Sequence, residues 1–283
     1  MAGYVRSDLL VDTDWLGEHL DDPNVRLVDT RWTGDRLGPS GRELYLRSHI
    51  PGAVYIDWST ELADPAHPVR GQLAPADRFV QLMSRLGIDN DTTVVAYDDA
   101  SGPFATRLWW ALSYYGHERV HVLNGGFTKW QAEGRAVAAG CAFQSARIYR
   151  AVERPELRVE ADAVLTSLNR DDVIILDARS EDQYRGRDKG GALRAGHIPG
   201  AVNVPVSANF ASDLPTFRPP EELHALYGRL GVDRARLVIT TCAAGVASTG
   251  ALFALNLLGY ENVALYDGSW AEWGNDPRLP IEH

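Results

Sequence analysis

The chain contains the same ordered set of motifs twice, and this internal duplication restricts the fold more than any other feature. HIPGAVYID begins at His49 and HIPGAVNVP at His197, 148 positions later. RLGID and RLGVD, VVAYD and VITTC, and LNGGFTKW and YDGSWAEW repeat in the same order at nearly the same separation. Ordered motifs with so little drift indicate two copies of one domain. The 283 residues suffice for two separate hydrophobic cores.

Each copy alternates short apolar strands with helical segments. In the first copy we predict strands that end at Asp29, Tyr97 and Leu123. Helices are predicted over 13–20, 76–86, 104–115 and 127–133. The polar, glycine-rich segment between Asp29 and His49 is predicted to be a loop. Strands of four to six residues separated by helices predict an α/β fold, with helices on both faces of an open, doubly wound parallel sheet.

The chain is expected to divide into two domains joined by a linker. We place the first domain at 1–138 and the second at 157–283. The intervening residues 139–156 have no clear hydrophobic period and are read as the linker.

Cys242 is the most informative single residue. It follows four residues of strand type, Val238 to Thr241, and precedes an apolar segment that continues to Leu258. At such a junction, successive backbone N–H groups and the positive end of a helix dipole favour a thiolate over a thiol. They could also hold a persulfide or another anion. The alternative is that Cys242 is a small buried hydrophobic residue.

Composition limits the partners and the compartment. A formal net charge of −10 argues against nucleic acid or an anionic membrane as a partner, so an anion site must be a local positive pocket. Cys141 and Cys242 are the two cysteines, and no CxxC or metal-ligand spacing occurs. We therefore expect no metal, no cofactor and no disulfide scaffold. No segment has the length of a membrane span and the N-terminus lacks an apolar signal core, which predicts a cytoplasmic protein.

The paired HIPGA strings, the NGGFTKW and DGSWAEW ends and the one cysteine of the second copy resemble the two-domain rhodanese family. These sulfurtransferases include thiosulfate and 3-mercaptopyruvate sulfurtransferases. The resemblance covers nearly the whole chain and implies two tandem rhodanese-like domains. The first would be inactive, because Asp98 stands where Cys242 stands in the catalytic second domain.

The resemblance implies a ping-pong reaction of the thiosulfate:cyanide sulfurtransferase type. Cys242 would attack the outer sulfur of a small anionic donor, release sulfite or pyruvate, and hold a persulfide. A thiol, cyanide or a protein would accept the sulfur. Substrate binding is assigned to the loop after the cysteine, which consists of Ala243, Ala244, Gly245, Val246 and Ala247.

Two other classes compete with the sulfurtransferase. One is a non-catalytic persulfide carrier or binding protein. Within the sulfurtransferase class, the choice between thiosulfate and 3-mercaptopyruvate as donor also stays open. The other is a cysteine phosphatase, which needs an arginine six residues after the cysteine, where this chain has Ser248. The phosphatase is therefore the weakest of the three.

The chain departs from the family at the two residues after the cysteine. Thiosulfate enzymes usually have basic residues there and mercaptopyruvate enzymes have Gly and Ser, but this chain has Ala243 and Ala244. We therefore expect weaker thiosulfate turnover than in a member with the basic pair. Positive charge must come from elsewhere. The resemblance implies that arginines of the segment YRGRDKGGALR help to bind the substrate anion, and we expect Arg187 first and Arg185 second. Lys189 and Arg194 are the other cations of that segment.

Several other polar residues are expected to be structural. His67 is interpreted as a surface-loop histidine, although it could replace the histidine that mercaptopyruvate enzymes use. Residues that recur in the copy without a nucleophile are assigned packing or ion-pair roles, namely His49 and His197, Asp29 and Asp177, and Arg31 and Arg179.

Overall fold

Two five-stranded parallel sheets, one from each half of the chain, form the framework of the protein. The computed structural model describes residues 3–34, 38–99 and 103–283. The first sheet contains β1 (Leu10–Val11), β2 (Val25–Asp29), β3 (Val54–Tyr55), β4 (Thr93–Tyr97) and β5 (Val120–Leu123), in the order β1-β5-β4-β2-β3. The second contains β6 (Arg158–Val159), β7 (Val173–Asp177), β8 (Val202–Asn203), β9 (Leu237–Thr241) and β10 (Val263–Tyr266), in the order β6-β10-β9-β7-β8. The two orders are identical, as duplication requires.

The helices also correspond between the halves. The first half contains α1 (Thr13–His19), α2 (Gly41–Arg47), α3 (Ala76–Arg85), α4 (Pro103–Tyr114) and α5 (Gly126–Ala132). The second contains α6 (Ala161–Ser167), α7 (Glu181–Tyr184), α8 (Pro220–Gly228), α9 (Ala247–Leu257) and α10 (Ser269–Trp273). Short 3-10 helices cover Ser7–Leu9, Pro155–Leu157 and Val206–Asn209, and a π-helical turn covers Trp58–Leu62. None of the helices in the described ranges has the length and apolar character that crossing a bilayer demands.

Helices cover both faces of each sheet because the central strands are apolar on both sides. In β4, Val94 and Ala96 belong to a buried cluster with α3 and α4. The alternate residues Val95 and Tyr97 belong to a second cluster with α2 and α5. Successive strand side chains point to opposite faces, so a continuous apolar run needs a cover on each. The predicted doubly wound α/β fold is confirmed.

The predicted loop between Asp29 and His49 is wrong, because this segment contains α2. Ser40 begins the helix with a capping box: its Oγ accepts the Glu43 N–H, and the Glu43 carboxylate accepts the Ser40 N–H at 2.7 Å. Gly41 is required there, since an added Cβ would lie 1.9 Å from a backbone oxygen. Gly41, one of the glycines that suggested a loop, therefore allows close packing. Residues 35–37 of this segment lie outside the described residues.

The connection between the halves has no helix or strand from residue 139 to 154. It is nevertheless attached to the first domain, because Tyr149 is buried and its ring lies 5.7 Å from that of Phe79. The domain bounds 1–138, 139–156 and 157–283 stay predictions.

The duplicated Asp and Arg residues form buried ion pairs, as predicted. Arg31 Nη2 and Asp29 Oδ2 are 2.6 Å apart, and Arg179 and Asp177 repeat this distance. Each guanidinium also lies over an aromatic ring of the last helix of its domain, Phe127 in α5 and Trp270 in α10. These pairs occur with and without a nucleophile, which agrees with a structural role.

The two domains contact each other mainly through α4 and α9. The hydroxyls of Thr106 and Thr249 are 2.8 Å apart and fully buried. One turn further, Trp109 meets Phe253 edge to face, with ring centroids 4.8 Å apart. This packing brings the N-terminus of α9, and with it the cysteine loop, against the first domain.

Candidate active site

Cys242 lies between β9 and α9, so the predicted strand, loop and helix are confirmed. Its side chain is 2 % exposed. Two backbone hydrogen bonds attach the loop to the start of α10. Cys242 O accepts the Trp270 N–H at 2.9 Å, and Ala243 O accepts the Ala271 N–H at 2.8 Å. These two hydrogen bonds hold the loop at its carbonyls and use none of its amides.

Ser269 explains how the loop keeps its shape. Its hydroxyl oxygen accepts the N–H groups of Cys242 at 3.2 Å and Gly245 at 3.1 Å, and its own proton is donated to Tyr266 O. Ser269 has φ +50, a left-handed conformation that costs a side chain about 1–2 kcal/mol. The equivalent residue of the first domain is Gly126, with φ +53. The second domain thus accepts strain where the hydroxyl holds the loop amides.

The amides of the predicted binding loop divide into two groups. The Gly245 N–H is donated to the Ser269 hydroxyl oxygen and is therefore not free for an anion. The other predicted residues, Ala243, Ala244, Val246 and Ala247, have N–H groups without an acceptor among the described residues. These four amides, at the N-terminus of α9, are the ones available to an anion.

Gly245 is instead required for close packing. It has φ +71, and an added Cβ would lie 2.6 Å from Asp267 Oδ1 and 2.7 Å from the Asp267 carbonyl oxygen. Tyr266, the residue before Asp267, donates its phenol hydrogen to Glu272 at 2.8 Å. Burial raises the pKa of Tyr266 well above its usual value, so this donor stays neutral.

A buried arginine of the first domain crosses to the loop. Arg107 in α4 donates from Nη1 to Asp267 Oδ1 at 2.7 Å and to Gly245 O at 3.1 Å. From Nη2 it donates to Gly71 O at 2.8 Å. The other Asp267 oxygen accepts the Leu73 N–H at 2.9 Å. The cysteine loop is therefore held in place by both domains.

Ser248 also contacts the nucleophile. Its Oγ donates a hydrogen bond to Cys242 Sγ at 3.3 Å, and the residue is fully buried in the first turn of α9. From the sequence, Ser248 argued only against a phosphatase and had no role of its own. A hydroxyl directed at the sulfur stabilises negative charge there.

Cys242 opens into a cavity of about 510 Å³ between the domains. Ala243, Ala244, Val246 and Ala247 lie on its wall, and Gly245 is not among the lining residues. Trp270 also lines the cavity, on the second-domain side. The first domain contributes an aromatic wall of Trp32, Trp58 and Phe104, with ring centroids 5.2–6.2 Å apart.

The predicted substrate cations do not reach this cavity. Arg187 pairs with Asp182 at 2.9 Å and Arg185 with Glu181 at 2.7 Å, all with largely exposed side chains. Acidic residues of α7, just before this segment, hold both arginines at the surface and away from the cavity wall, and their assignment to substrate binding stays a prediction.

The part of that segment that does line the cavity carries no charge: Gly190, Gly191 and Ala192. Arg194 is used structurally, donating to the carbonyls of Trp273 and Leu279.

One cation on the cavity wall was not predicted from the sequence. Arg70 is the charged residue among the described residues that line the cavity. It follows His67, which is exposed and contacts the backbone of Val69, as expected for a surface loop. Nothing in the order of the sequence places residue 70 beside residue 242.

The first domain has a different group where the second has its cysteine. Asp98 follows β4 as Cys242 follows β9, and its Oδ2 accepts the N–H groups of Phe104 at 2.9 Å and Ala105 at 3.0 Å. These amides begin α4. A fixed carboxylate therefore occupies the helix N-terminus in the first domain.

Comparison with known proteins agrees with this geometry. The rhodanese-like domain family matches residues 12–133 and 160–276. A sulfur carrier protein of Thermus thermophilus is 40% identical, covering 99% of this chain and 98% of that protein. A 3-mercaptopyruvate sulfurtransferase of Escherichia coli is 34% identical, covering 96% and 97%. The crystal structure of SseA, a 3-mercaptopyruvate sulfotransferase from Escherichia coli, superposes with a TM-score of 0.85 at 33% identity, covering 93% of this chain and 98% of that one.

The chain belongs to the rhodanese family. Within that family it has the arrangement predicted from the sequence, with two tandem rhodanese-like domains, and the predicted sulfurtransferase class is confirmed.

Proposed function

We propose that the protein transfers sulfane sulfur from thiosulfate or a related small anionic donor, through a persulfide on Cys242, to a thiophilic acceptor. The observation that supports this most directly is the position of Cys242. Its sulfur lies at the N-terminus of α9, on the wall of a cavity of about 510 Å³. The neighbouring amides of Ala243, Ala244, Val246 and Ala247 have no acceptor in the described part of the chain.

With thiosulfate, the Cys242 thiolate attacks the outer sulfur and forms a new S–S bond. The original S–S bond breaks, and its electron pair leaves with sulfite. The product is a persulfide anion, whose terminal charge the loop amides and the helix dipole stabilise.

In the second half-reaction, the acceptor attacks the terminal sulfur and the electron pair returns to Cys242. The Ser248 hydroxyl, 3.3 Å from Sγ, stabilises the thiolate as it leaves. With 3-mercaptopyruvate, a carbon–sulfur bond breaks instead, and the pyruvate enolate takes a proton.

A second candidate is a persulfide carrier that delivers sulfur to a protein. The loop carries no charged side chain, and the Thermus thermophilus relative is named as a sulfur carrier protein. Both candidates require the Cys242 persulfide, but repeated turnover with cyanide or a small thiol distinguishes the enzyme from the carrier. We propose the cytoplasm as the compartment, where reducing conditions keep both free cysteines as thiols.

The test uses Cys242→Ser and, as a matched control, Cys141→Ser, because Cys141 is exposed and lies in the linker. Wild type and Cys141→Ser should release sulfite from thiosulfate and gain about 32 Da, one sulfur atom, on Cys242. Cys242→Ser should lose turnover and mass gain while keeping its circular dichroism spectrum. Donor turnover by Cys242→Ser would show that the mechanism is wrong.

A further inference from the structure

The cavity beside Cys242 has an almost uncharged wall. Its described lining residues are aromatic, small or neutral, apart from Arg70 and the nucleophile. Apolar walls lower the local dielectric constant, so a single cation attracts an anion more strongly there than in water. An anionic donor that enters this cavity therefore meets one full positive charge, and it comes from the first domain.

The backbone beside Arg70 is held against the cysteine loop. Gly71 has φ +88, and an added Cβ would lie 2.8 Å from Ala244 O and 3.2 Å from Ala244 Cβ. The carbonyl of Gly71 accepts a hydrogen bond from buried Arg107. Arg70 is therefore the chain neighbour of Gly71, which packs against Ala244 of the cysteine loop.

The Arg70 guanidinium is also available for a ligand. It makes no ion pair or hydrogen bond with the residues that the structure describes, whereas Arg185 and Arg187 are each paired with a carboxylate. Trp58 offers a second donor on the same wall, because it is 5 % exposed and its indole N–H has no partner among the described residues. A planar guanidinium fork matches the oxygens of a carboxylate or a sulfonate.

We propose that Arg70 is the specificity-determining residue that binds the anionic group of the sulfur donor while the outer sulfur faces Cys242. The chemical class of donor it selects is a sulfur compound with a carboxylate or sulfonate-like end. This assignment rests on the proposed function for the identity of the ligand. The attraction of an anion by Arg70 can be measured without sulfur transfer.

The experiment compares alkylation of Cys242 by iodoacetate, an anion, and iodoacetamide, its neutral analogue. The rates are followed by mass spectrometry of the peptide that contains Cys242. Replacing Arg70 by Gln should lower the ratio of iodoacetate to iodoacetamide rates about fivefold to thirtyfold, the effect of one charge-assisted hydrogen bond at a partly exposed site. Arg70→Lys should restore part of the ratio. Arg150→Gln is the matched control, because Arg150 is exposed and lies outside the cavity.

An unchanged ratio in Arg70→Gln, or an equal fall in Arg150→Gln, would overturn the proposal. Arg187→Gln tests the surface loop as the alternative cation source, and a fall in that variant alone would also overturn it. If sulfur transfer occurs, Arg70→Gln should raise the KM for thiosulfate by a similar factor with little change in kcat. A changed ratio without any sulfur transfer would leave the role of Arg70 intact and refute the proposed function.

Discussion

Replacing Gly245 by alanine tests how tightly the cysteine loop is packed. An alanine at φ +71 costs about 1–2 kcal/mol from its left-handed backbone. Its methyl group would lie 2.6 Å from Asp267 Oδ1 and 2.7 Å from the Asp267 carbonyl oxygen, and such overpacking costs roughly 1–3 kcal/mol more. We expect the free energy of unfolding to fall by about 2–5 kcal/mol in total.

Gly231→Ala is the matched control for the backbone term. Gly231 has φ +72, is in the same domain, and an added Cβ there would have no neighbour within 4 Å. Its alanine variant should lose only about 1–2 kcal/mol. At roughly 2–4 °C per kcal/mol, Gly245→Ala should therefore melt roughly 2–12 °C below Gly231→Ala.

Thermal unfolding followed by circular dichroism measures this difference, and the persulfide mass gain on Cys242 reports the loop itself. We expect Gly231→Ala to keep the mass gain and Gly245→Ala to lose most of it, because Asp267 and the loop must move apart. Equal melting temperatures for the two variants would refute the argument that Gly245 is packed against a rigid neighbour.

Two further predictions concern residues around the loop. Arg107→Met should lower the free energy of unfolding by about 3–5 kcal/mol, measured in urea, because it leaves Asp267 buried without its counter-charge. Adding Asp267→Asn to that variant should recover part of the loss, and a fully additive double variant would argue against the ion pair. Ser248→Ala should slow alkylation of Cys242 by iodoacetamide at neutral pH roughly tenfold, because the sulfur loses a hydrogen-bond donor. An unchanged rate would show that the hydroxyl does not act on the thiolate.

The sequence was sufficient for features that depend on local pattern. Burial of both faces of the strand that ends at Tyr97 follows from its continuous apolar run, and the junction at Cys242 follows from the small residues after a strand end. The helix that begins at Gly41 was missed because the glycines at and before its start suggested a loop, although the Ser40 and Glu43 spacing is a capping box.

Contacts between the domains could not be predicted from local sequence pattern. Arg70 lies in a polar loop with no period, and its place beside the cysteine depends on how two domains meet. Arg107 did leave a signal, because a charged residue inside a helix that is apolar all round requires a buried partner. The sequence does not say that this partner is Asp267, 160 residues away.

The carboxylate of Asp98 has a consequence for how much sulfur the protein carries. This carboxylate already accepts the amides at the start of α4 in the first domain, where the charge of a second persulfide would otherwise be held. A donor that approached there would meet a carboxyl group that is part of the chain and cannot diffuse away. If Cys242 forms the proposed persulfide, we therefore expect one sulfur per chain, although the polypeptide contains the architecture for two.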